Sequence, residues 1–232
     1  LDGSDLCSPL VAADDLALSE YMSTLGPTGM TAWLGLNHIG QPKPGDVVVV
    51  SAAGGAVGTI VGQLAKAAGC RTIGLVSSAE KAQWLTETVG YDLAISREAQ
   101  PDLAQALAEA APSGVDLFFD NVGGSVLNTV MQQLQEGARL VLCGAISQYE
   151  AEVEPVTHTW ELITKRARME GFMFSDYTDE FPAVIEALER LLRSGELKTF
   201  DQCYRGIEQT PTAFCDMMGG VSRGKCLVLL EG

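Results

Sequence analysis

The feature that most constrains the fold is a run of four valines that leads directly into a turn of small residues. Residues 47–58 read VVVVSAAGGAVG, and residues 57–68 have the apolar spacing of a helix. A buried parallel strand is a short, continuous β-branched run, and small residues let a helix begin directly against its end. The segment therefore predicts the first strand and helix of a parallel α/β sheet.

The same alternation of apolar runs and helical segments continues to residue 143. It predicts strands at 47–51, 72–76, 93–95, 115–120 and 139–143, separated by helices at 57–68, 80–89, 102–111 and 125–134. Parallel strands joined by helices require right-handed crossovers, which place helices on both faces of the sheet. The predicted fold class is α/β with a doubly wound parallel sheet of the Rossmann type.

Beyond residue 143 the pattern is looser. It predicts helices at 160–165, 180–193 and 212–218 and strands at 169–174 and 225–230. Residues 1–26 have little periodicity, and Gly26-Pro27 is typical of a boundary. We therefore expect one large sheet domain with shorter segments on either side.

Charge and hydropathy exclude several function classes. The chain has 15 Lys+Arg against 30 Asp+Glu, a formal net charge of −15 at pH 7, so its field repels phosphate backbones and anionic lipid. Its apolar runs are far shorter than the ~20 residues that span a bilayer. We expect neither nucleic-acid nor membrane partners.

Cysteine and histidine use indicates neither a metal site nor a disulfide framework. The six cysteines stand alone, and His38 and His158 are isolated, which favours structural histidines and a reducing cytoplasm. Residues 1–15 have no basic residue and do not resemble a signal peptide. Because the chain lacks an initiating Met, we expect it to be part of a longer or processed protein.

The small-residue turn has the spacing of a dinucleotide site. Ala52, Gly55 and Gly58 form A-x-x-G-x-x-G, a variant of the glycine fingerprint. Small residues let the backbone approach a pyrophosphate, whose charge is bound by the free N–H groups and positive dipole end of the helix. The alternative is a tight turn that only lets helix and sheet pack closely. The position between strand and helix favours dinucleotide binding.

The end of the second predicted strand indicates which dinucleotide would bind. An NAD enzyme places an acidic residue there against the ribose 2′-hydroxyl. Here Ser77, Ser78 and Lys81 follow the strand, and two hydroxyls with a Lys favour the 2′-phosphate of NADPH over NADH. The alternative interpretation is that Lys81 is a solvated residue in the first turn of the helix and that Ser78 is the N-cap of that helix. Both interpretations can hold together.

Four motifs occur in a family-specific order. They are GMTA at 29–32, VSAAGGAVG at 50–58, FDNVGG at 119–124 and CGAISQY at 143–149. From about residue 26 to its end, the chain resembles the zinc-independent medium-chain dehydrogenase/reductases, in the group of prostaglandin reductase (leukotriene 12-hydroxydehydrogenase), alkenal reductase and curcumin reductase. The resemblance implies NADP(H) as cofactor and reduction of the carbon–carbon double bond of α,β-unsaturated ketones and aldehydes.

The resemblance also implies roles for individual residues. Tyr149 is expected beside the nicotinamide ribose and the substrate carbonyl, where a phenol can hydrogen-bond a developing enolate; packing on the cofactor is the alternative. The residues expected to bind the cofactor are Thr31, Gly55, Ala56, Val57, Gly58, Ser77, Lys81, Arg97, Asn121, Cys143, Gly144, Ala145, Ile146 and Ser222. Asn121 is alternatively an Asx-turn residue, and Cys143 is expected to contribute its backbone.

Two of these positions depart from the family pattern. Arg97 stands where relatives usually have a Tyr, and it retains the ability to bind a 2′-phosphate. Residues 220–225 read GVSRGK where the pattern is G-x-N-x-G-K, so that Ser222 replaces an Asn expected near the cofactor.

The implied organisation has three parts. Residues 1–26 are expected to be a linker or remnant of an N-terminal catalytic domain, 27–198 the Rossmann NADP-binding domain, and 199–232 the return to that barrel-like catalytic domain. The resemblance further implies a homodimer that pairs edge strands, with 169–174 as the candidate edge. A cofactor-binding module without turnover and a quinone oxidoreductase remain open as alternative functions.

Overall fold

A six-stranded parallel sheet forms the centre of the computed structural model, which describes residues 15–149 and 153–230. Its strands are β1 (Val47–Val50), β2 (Arg71–Val76), β3 (Leu93–Ser96), β4 (Val115–Asp120), β5 (Leu134–Leu142) and β6 (Arg168–Gly171). They lie in the order β3-β2-β1-β4-β5-β6, with every neighbouring pair parallel. The predicted doubly wound sheet is confirmed. Residues 1–15, which are predicted not to be a signal peptide, lie outside the described residues except for Asp15.

Helices cover both faces of the sheet. In chain order they are α1 (Leu18–Met22), α2 (Pro27–Leu34), α3 (Ala56–Ala67), α4 (Ala79–Trp84), α5 (Leu103–Ala110), α6 (Gly124–Met131), α7 (Trp160–Thr164), α8 (Phe181–Ser194) and α9 (Thr210–Met218). π-helical turns extend α2 over Gly35–Gly40 and α4 over Leu85–Val89. A second sheet contains the parallel strands β7 (Asp201–Arg205) and β8 (Lys225–Leu229). None of the described helices is both long enough and apolar enough to cross a bilayer.

The side chains of β1 alternate between two buried clusters. Val48 and Val50 pack with apolar residues of α2, α3 and α8, whereas Val47 and Val49 pack with those of α5 and α6. All four valines are buried, which explains why the strand is continuously apolar.

Some boundaries differ from the predicted ones. β5 begins at Leu134 rather than 139, and α6 accordingly ends at Met131. β6 ends at Gly171 rather than 174 because Phe174–Glu180 forms a 3-10 turn. The helices α1 and α2 and the strand β7 had no clear periodic signal.

The segment before residue 27 packs against the sheet domain. Tyr21 and Leu25 are buried in the cluster that contains Val48 and Val50. The hydroxyls of Thr24 and Thr199 lie 2.8 Å apart, so this segment also contacts the chain just before β7. Gly26 is the N-cap residue of α2.

Candidate functional site

A crevice of about 570 Å³ opens where the strand order reverses. From β1 the chain proceeds to β2 and β3 on one side, and β4 to β6 lie on the other. The ends of β1 and β2, the turn into α3 and the segment between α9 and β8 line the crevice. In doubly wound sheets this crevice at the carboxyl ends of the strands is the usual ligand position.

The turn between β1 and α3 presents backbone to the crevice. Ala52 has a left-handed φ of +47°, and Gly55 is the N-cap residue of α3 without a side-chain cap. The first N–H groups of a helix have no partner inside the helix, and here they lie beside Gly55 and Ala56, which line the crevice. The turn thus has the features of an anion-binding helix N-terminus.

Gly58 serves close packing rather than lining the crevice. A Cβ at this position would lie 2.6 Å from the Ala52 carbonyl oxygen and 2.7 Å from Ala53 Cα. The buried Tyr91 hydroxyl donates a hydrogen bond of 2.6 Å to the Gly58 carbonyl. Gly58 therefore has the packing role that the alternative interpretation of the motif predicted, and Gly55 lines the crevice.

The crevice is positively charged although the chain is acidic. Lys81, Arg97 and Lys225 line it, and its described lining contains no Asp or Glu. A ligand with negative charge therefore suits this surface.

Lys81 connects α4 with the segment before β8. Its Nζ donates a 2.7 Å hydrogen bond to the Gly220 carbonyl, and its backbone N–H donates to the Ser78 hydroxyl at 3.3 Å. Ser78 is the N-cap of α4, as the sequence predicts. Burial, together with the charge of Arg223, lowers the pKa of Lys81.

A buried carboxylate that the sequence analysis missed joins the ends of β1 and β4. The Ser51 hydroxyl donates to Asp120 Oδ1 at 2.7 Å, and the N–H groups of Val122 and Gly123 donate to the same carboxylate. Burial raises the pKa of Asp120. Asn121 completes the network, since its N–H donates to the Ser51 hydroxyl and its amide to the Ser51 carbonyl, both at 2.8 Å.

The segment after β5 is attached to the same strand end. The N–H groups of Cys143 and Gly144 donate to the Asp120 carbonyl at 2.8 and 3.1 Å. Burial, together with the Asp120 charge, raises the pKa of the Cys143 thiol to about 12, so this thiol is not a nucleophile near neutral pH. Ile146 follows and lines the crevice.

The crevice brings together about half of the residues expected to bind a cofactor. Those that line it are Gly55, Ala56, Ser77, Lys81, Arg97, Ile146 and Ser222. The other expected residues do not line the crevice, namely Thr31, Val57, Gly58, Asn121, Cys143, Gly144 and Ala145. The Thr31 hydroxyl, for example, donates within α2 to the Pro27 carbonyl at 2.7 Å. Tyr149 directly follows the 3-10 turn Ile146–Gln148 and is 68% exposed.

Of the C-terminal segment, only Ser222 is predicted from the sequence to bind the cofactor. The crevice is also lined by residues 217–220, Gly224, Lys225 and Cys226. The Gly224 N–H donates to the Gly54 carbonyl at 2.8 Å, which fixes this segment against the turn. Contacts between residues so distant in the chain leave no periodic pattern.

Within residues 15–149 and 153–230, no group of three or more His, Cys, Asp or Glu side chains is placed to hold a metal ion. His38 Nε2 lies 2.9 Å from a carboxylate oxygen of Glu180, and its ring stacks on Tyr177. His158 Nδ1 lies 2.9 Å from the hydroxyl of Thr157. Both histidines therefore have local partners.

Fold and crevice together define a doubly wound α/β domain with a crevice at its strand ends that is lined by basic side chains. Residues 56–190 match the family described as zinc-binding dehydrogenase. The chain is 43% identical over 215 residues to the putative NADP-dependent oxidoreductase YfmJ of Bacillus subtilis, covering 90% of this chain and 63% of that protein. It is 37% identical over 231 residues to prostaglandin reductase 1 of Rattus norvegicus, covering 98% and 70%.

A solved structure is similar to this chain in both fold and sequence. The crystal structure of CurA in complex with NADPH from Vibrio vulnificus has a TM-score of 0.86 and 38% identity, over 92% of this chain and 65% of that one. The chain therefore belongs to the medium-chain dehydrogenase/reductase family, in the group that includes the prostaglandin reductases, and the resemblance drawn from its motifs is confirmed. It spans somewhat less than two thirds of several of these relatives, as in the 63% coverage of the Bacillus protein.

Proposed function

We propose that this chain binds NADP(H) in the crevice and is the cofactor-binding part of a reductase of α,β-unsaturated ketones and aldehydes. The observation that carries the proposal is the combination of an uncapped helix N-terminus with basic side chains, and with no acidic ones in the described lining. A phosphorylated dinucleotide has the complementary charge. Relatives named 2-alkenal reductase (NADP(+)-dependent), from Nicotiana tabacum, and NADPH-dependent curcumin reductase, from Escherichia coli, support the cofactor and the substrate class.

The residues present fit such a cofactor. Residues 52–56 offer the pyrophosphate only backbone and methyl groups, so that close approach is not obstructed. Ser77, Lys81 and Arg97 line this crevice and offer a hydroxyl and two cations to a 2′-phosphate. Ser77 and Ser78, rather than an acid, directly follow β2, so no negative charge stands at the strand end to repel that phosphate. Lys81 would exchange its bond to the Gly220 carbonyl for a charge-assisted bond to phosphate.

The bound cofactor would supply a hydride to the β-carbon of the substrate. The residues of this chain would bind and orient it, with the Ser51–Asp120 network fixing the strand ends that carry the crevice. As the carbonyl oxygen gains negative charge, we propose that the Tyr149 hydroxyl donates a hydrogen bond to it or fixes the nicotinamide ribose. Walls that hold the acceptor and exclude water would come from the part of the relatives that this chain does not match.

NADPH oxidation by small enones and by simple quinones tests this function. The 232-residue chain is expected to bind NADPH but to reduce enones slowly, and a version extended by an N-terminal catalytic domain is expected to prefer enones over quinones. A preference for quinones in the extended version would favour the quinone oxidoreductase alternative. Binding without turnover in both versions would favour the cofactor-binding module.

We also propose that the protein needs no zinc and works in a reducing cytoplasm. The isolated cysteines are the basis, since a zinc site needs clustered thiolates or imidazoles. Elemental analysis of the purified protein is expected to find zinc well below one ion per chain. A stoichiometric amount of zinc that a chelator removes with loss of activity would overturn this prediction.

A further inference from the structure

Neither the sequence motifs nor the proposed function assigns a role to the cationic side chain of Arg223. Its guanidinium carbon lies 5.7 Å from the centre of the Trp84 ring. Trp84 is the last residue of α4, the helix that also carries Lys81. Arg can stack on an aromatic face and keep its N–H donors free, so this contact holds the Arg223 side chain over α4.

The backbone of Arg223 is also fixed. Its N–H donates to Gln202 Oε1 at 3.0 Å, and the amide nitrogen of Gln202 donates to the Tyr204 hydroxyl at 2.5 Å. Tyr204 in turn donates to a carboxylate oxygen of Asp216 at 2.6 Å. Strand β7 and helix α9 thus position Arg223, and little further ordering is needed to bind a ligand.

Lys81 lines the crevice, whereas Arg223 is exposed beside it. In the described ranges, no carboxylate forms an ion pair with Lys81 or Arg223. The two side chains are close enough for the charge of Arg223 to contribute to the lowered pKa of Lys81. Ser222 and Gly224, on either side of Arg223, both line the crevice. Neighbouring like charges repel each other, and a bound anion would relieve that repulsion.

We propose that Arg223 is a specificity-determining residue that binds the 2′-phosphate of NADP(H) together with Lys81. A phosphate monoester carries nearly two negative charges, and the planar guanidinium can bind it with two parallel N–H bonds. The ribose 2′-hydroxyl of NAD(H) offers no such charge. This inference rests on the proposed function and adds a contact from the C-terminal segment to it.

Calorimetric titration of Arg223→Gln with NADPH and NADH tests the inference. We expect the Kd for NADPH to rise about 10-fold, the scale of one lost charge-assisted hydrogen bond, with the Kd for NADH nearly unchanged. Adenosine 2′,5′-bisphosphate and 5′-AMP provide the same comparison without the nicotinamide half. Arg223→Lys, which keeps the charge but not the two-pronged geometry, is expected to lie in between.

Arg190→Gln is the matched control, because Arg190 is exposed on α8 and its loss changes the net charge equally. The control is expected to leave both Kd values unchanged. Equal weakening of both cofactors by Arg223→Gln, or an unchanged NADPH Kd, would overturn the role of Arg223. Failure of the wild-type chain to bind either cofactor would instead contradict the proposed function itself.

Discussion

Lys81 is the residue on which cofactor selectivity is expected to depend most. Lys81→Ala is expected to weaken NADPH binding by roughly 1.5 to 3 kcal/mol, the range for a hydrogen bond to a charged group, and to leave NADH binding almost unchanged. Titration of both cofactors measures the difference. Lys43→Ala, at an exposed lysine before β1, is the control. A loss of the same size for NADH would show that Lys81 acts through its bond to the Gly220 carbonyl.

Tyr149 is expected to affect turnover rather than binding. In a version with an intact substrate domain, Tyr149→Phe is expected to lower kcat by roughly 10² to 10³, the scale of oxyanion or general-acid assistance. NADPH affinity should remain nearly constant, because the substitution leaves the residues that line the crevice unchanged. Steady-state kinetics with one enone provide the measurement, and unchanged kcat would reduce Tyr149 to a packing residue.

Single residues could be predicted where their role is local. The N-cap Ser78 and the tightly packed Gly58 follow from spacing, since their partners lie within a few residues. The hydrogen bond from Ser51 to Asp120 joins residues 69 positions apart, and the sequence gives no sign of such a distant partner. The stacking of Arg223 on Trp84 is of the same kind.

Among elements, the central strands were the most predictable. Each is a short apolar run because both faces of the sheet are covered, and burial on two faces leaves a simple pattern. β7 is only half-buried and has polar residues in sequence, so that it resembles a loop. α1 is a five-residue helix, too short for helical periodicity to be recognised.

The junction of α3, β2 and β3 provides a pH test at the element scale. Asp92 accepts hydrogen bonds from the Thr72 N–H and hydroxyl at 2.8 and 3.0 Å and from Lys66 Nζ at 2.9 Å. Burial alone would raise the Asp92 pKa, but these bonds together hold it below its ordinary value of 3.8. The native state therefore favours the ionised carboxylate.

A group with a lowered native pKa stabilises the fold above its unfolded pKa, and that contribution is lost as the pH falls through the native value. Asp92→Ala is expected to lower the free energy of unfolding by about 1 kcal/mol at neutral pH, allowing for solvent screening. The difference from wild type should shrink below pH 3.8. Urea denaturation at several pH values measures it, with Asp179→Ala, at an exposed position, as control. A difference that stays constant on acidification would contradict this account.

At the scale of the whole molecule, β6 forms one edge of the described sheet, as the predicted edge strand requires. Arg168, Glu170 and Gly171 are exposed along it. An edge strand can pair with a strand of a second copy, and we propose that β6 does so. We expect light scattering at micromolar concentration to give twice the mass of one chain. Glu170→Pro should then halve that mass, because Pro has no backbone N–H to donate to a strand of the second copy. A monomer in the unaltered protein would refute the prediction.

The central claim is that the crevice at the strand ends is an NADPH site. Calorimetric titration of the unaltered 232-residue chain with NADPH and with NADH tests it most directly. The account predicts one NADPH per chain and distinctly weaker NADH binding, because Lys81 and Arg97 line the crevice and Ser77, rather than an acid, stands at the end of β2. Binding of neither cofactor, or tighter binding of NADH, would contradict it.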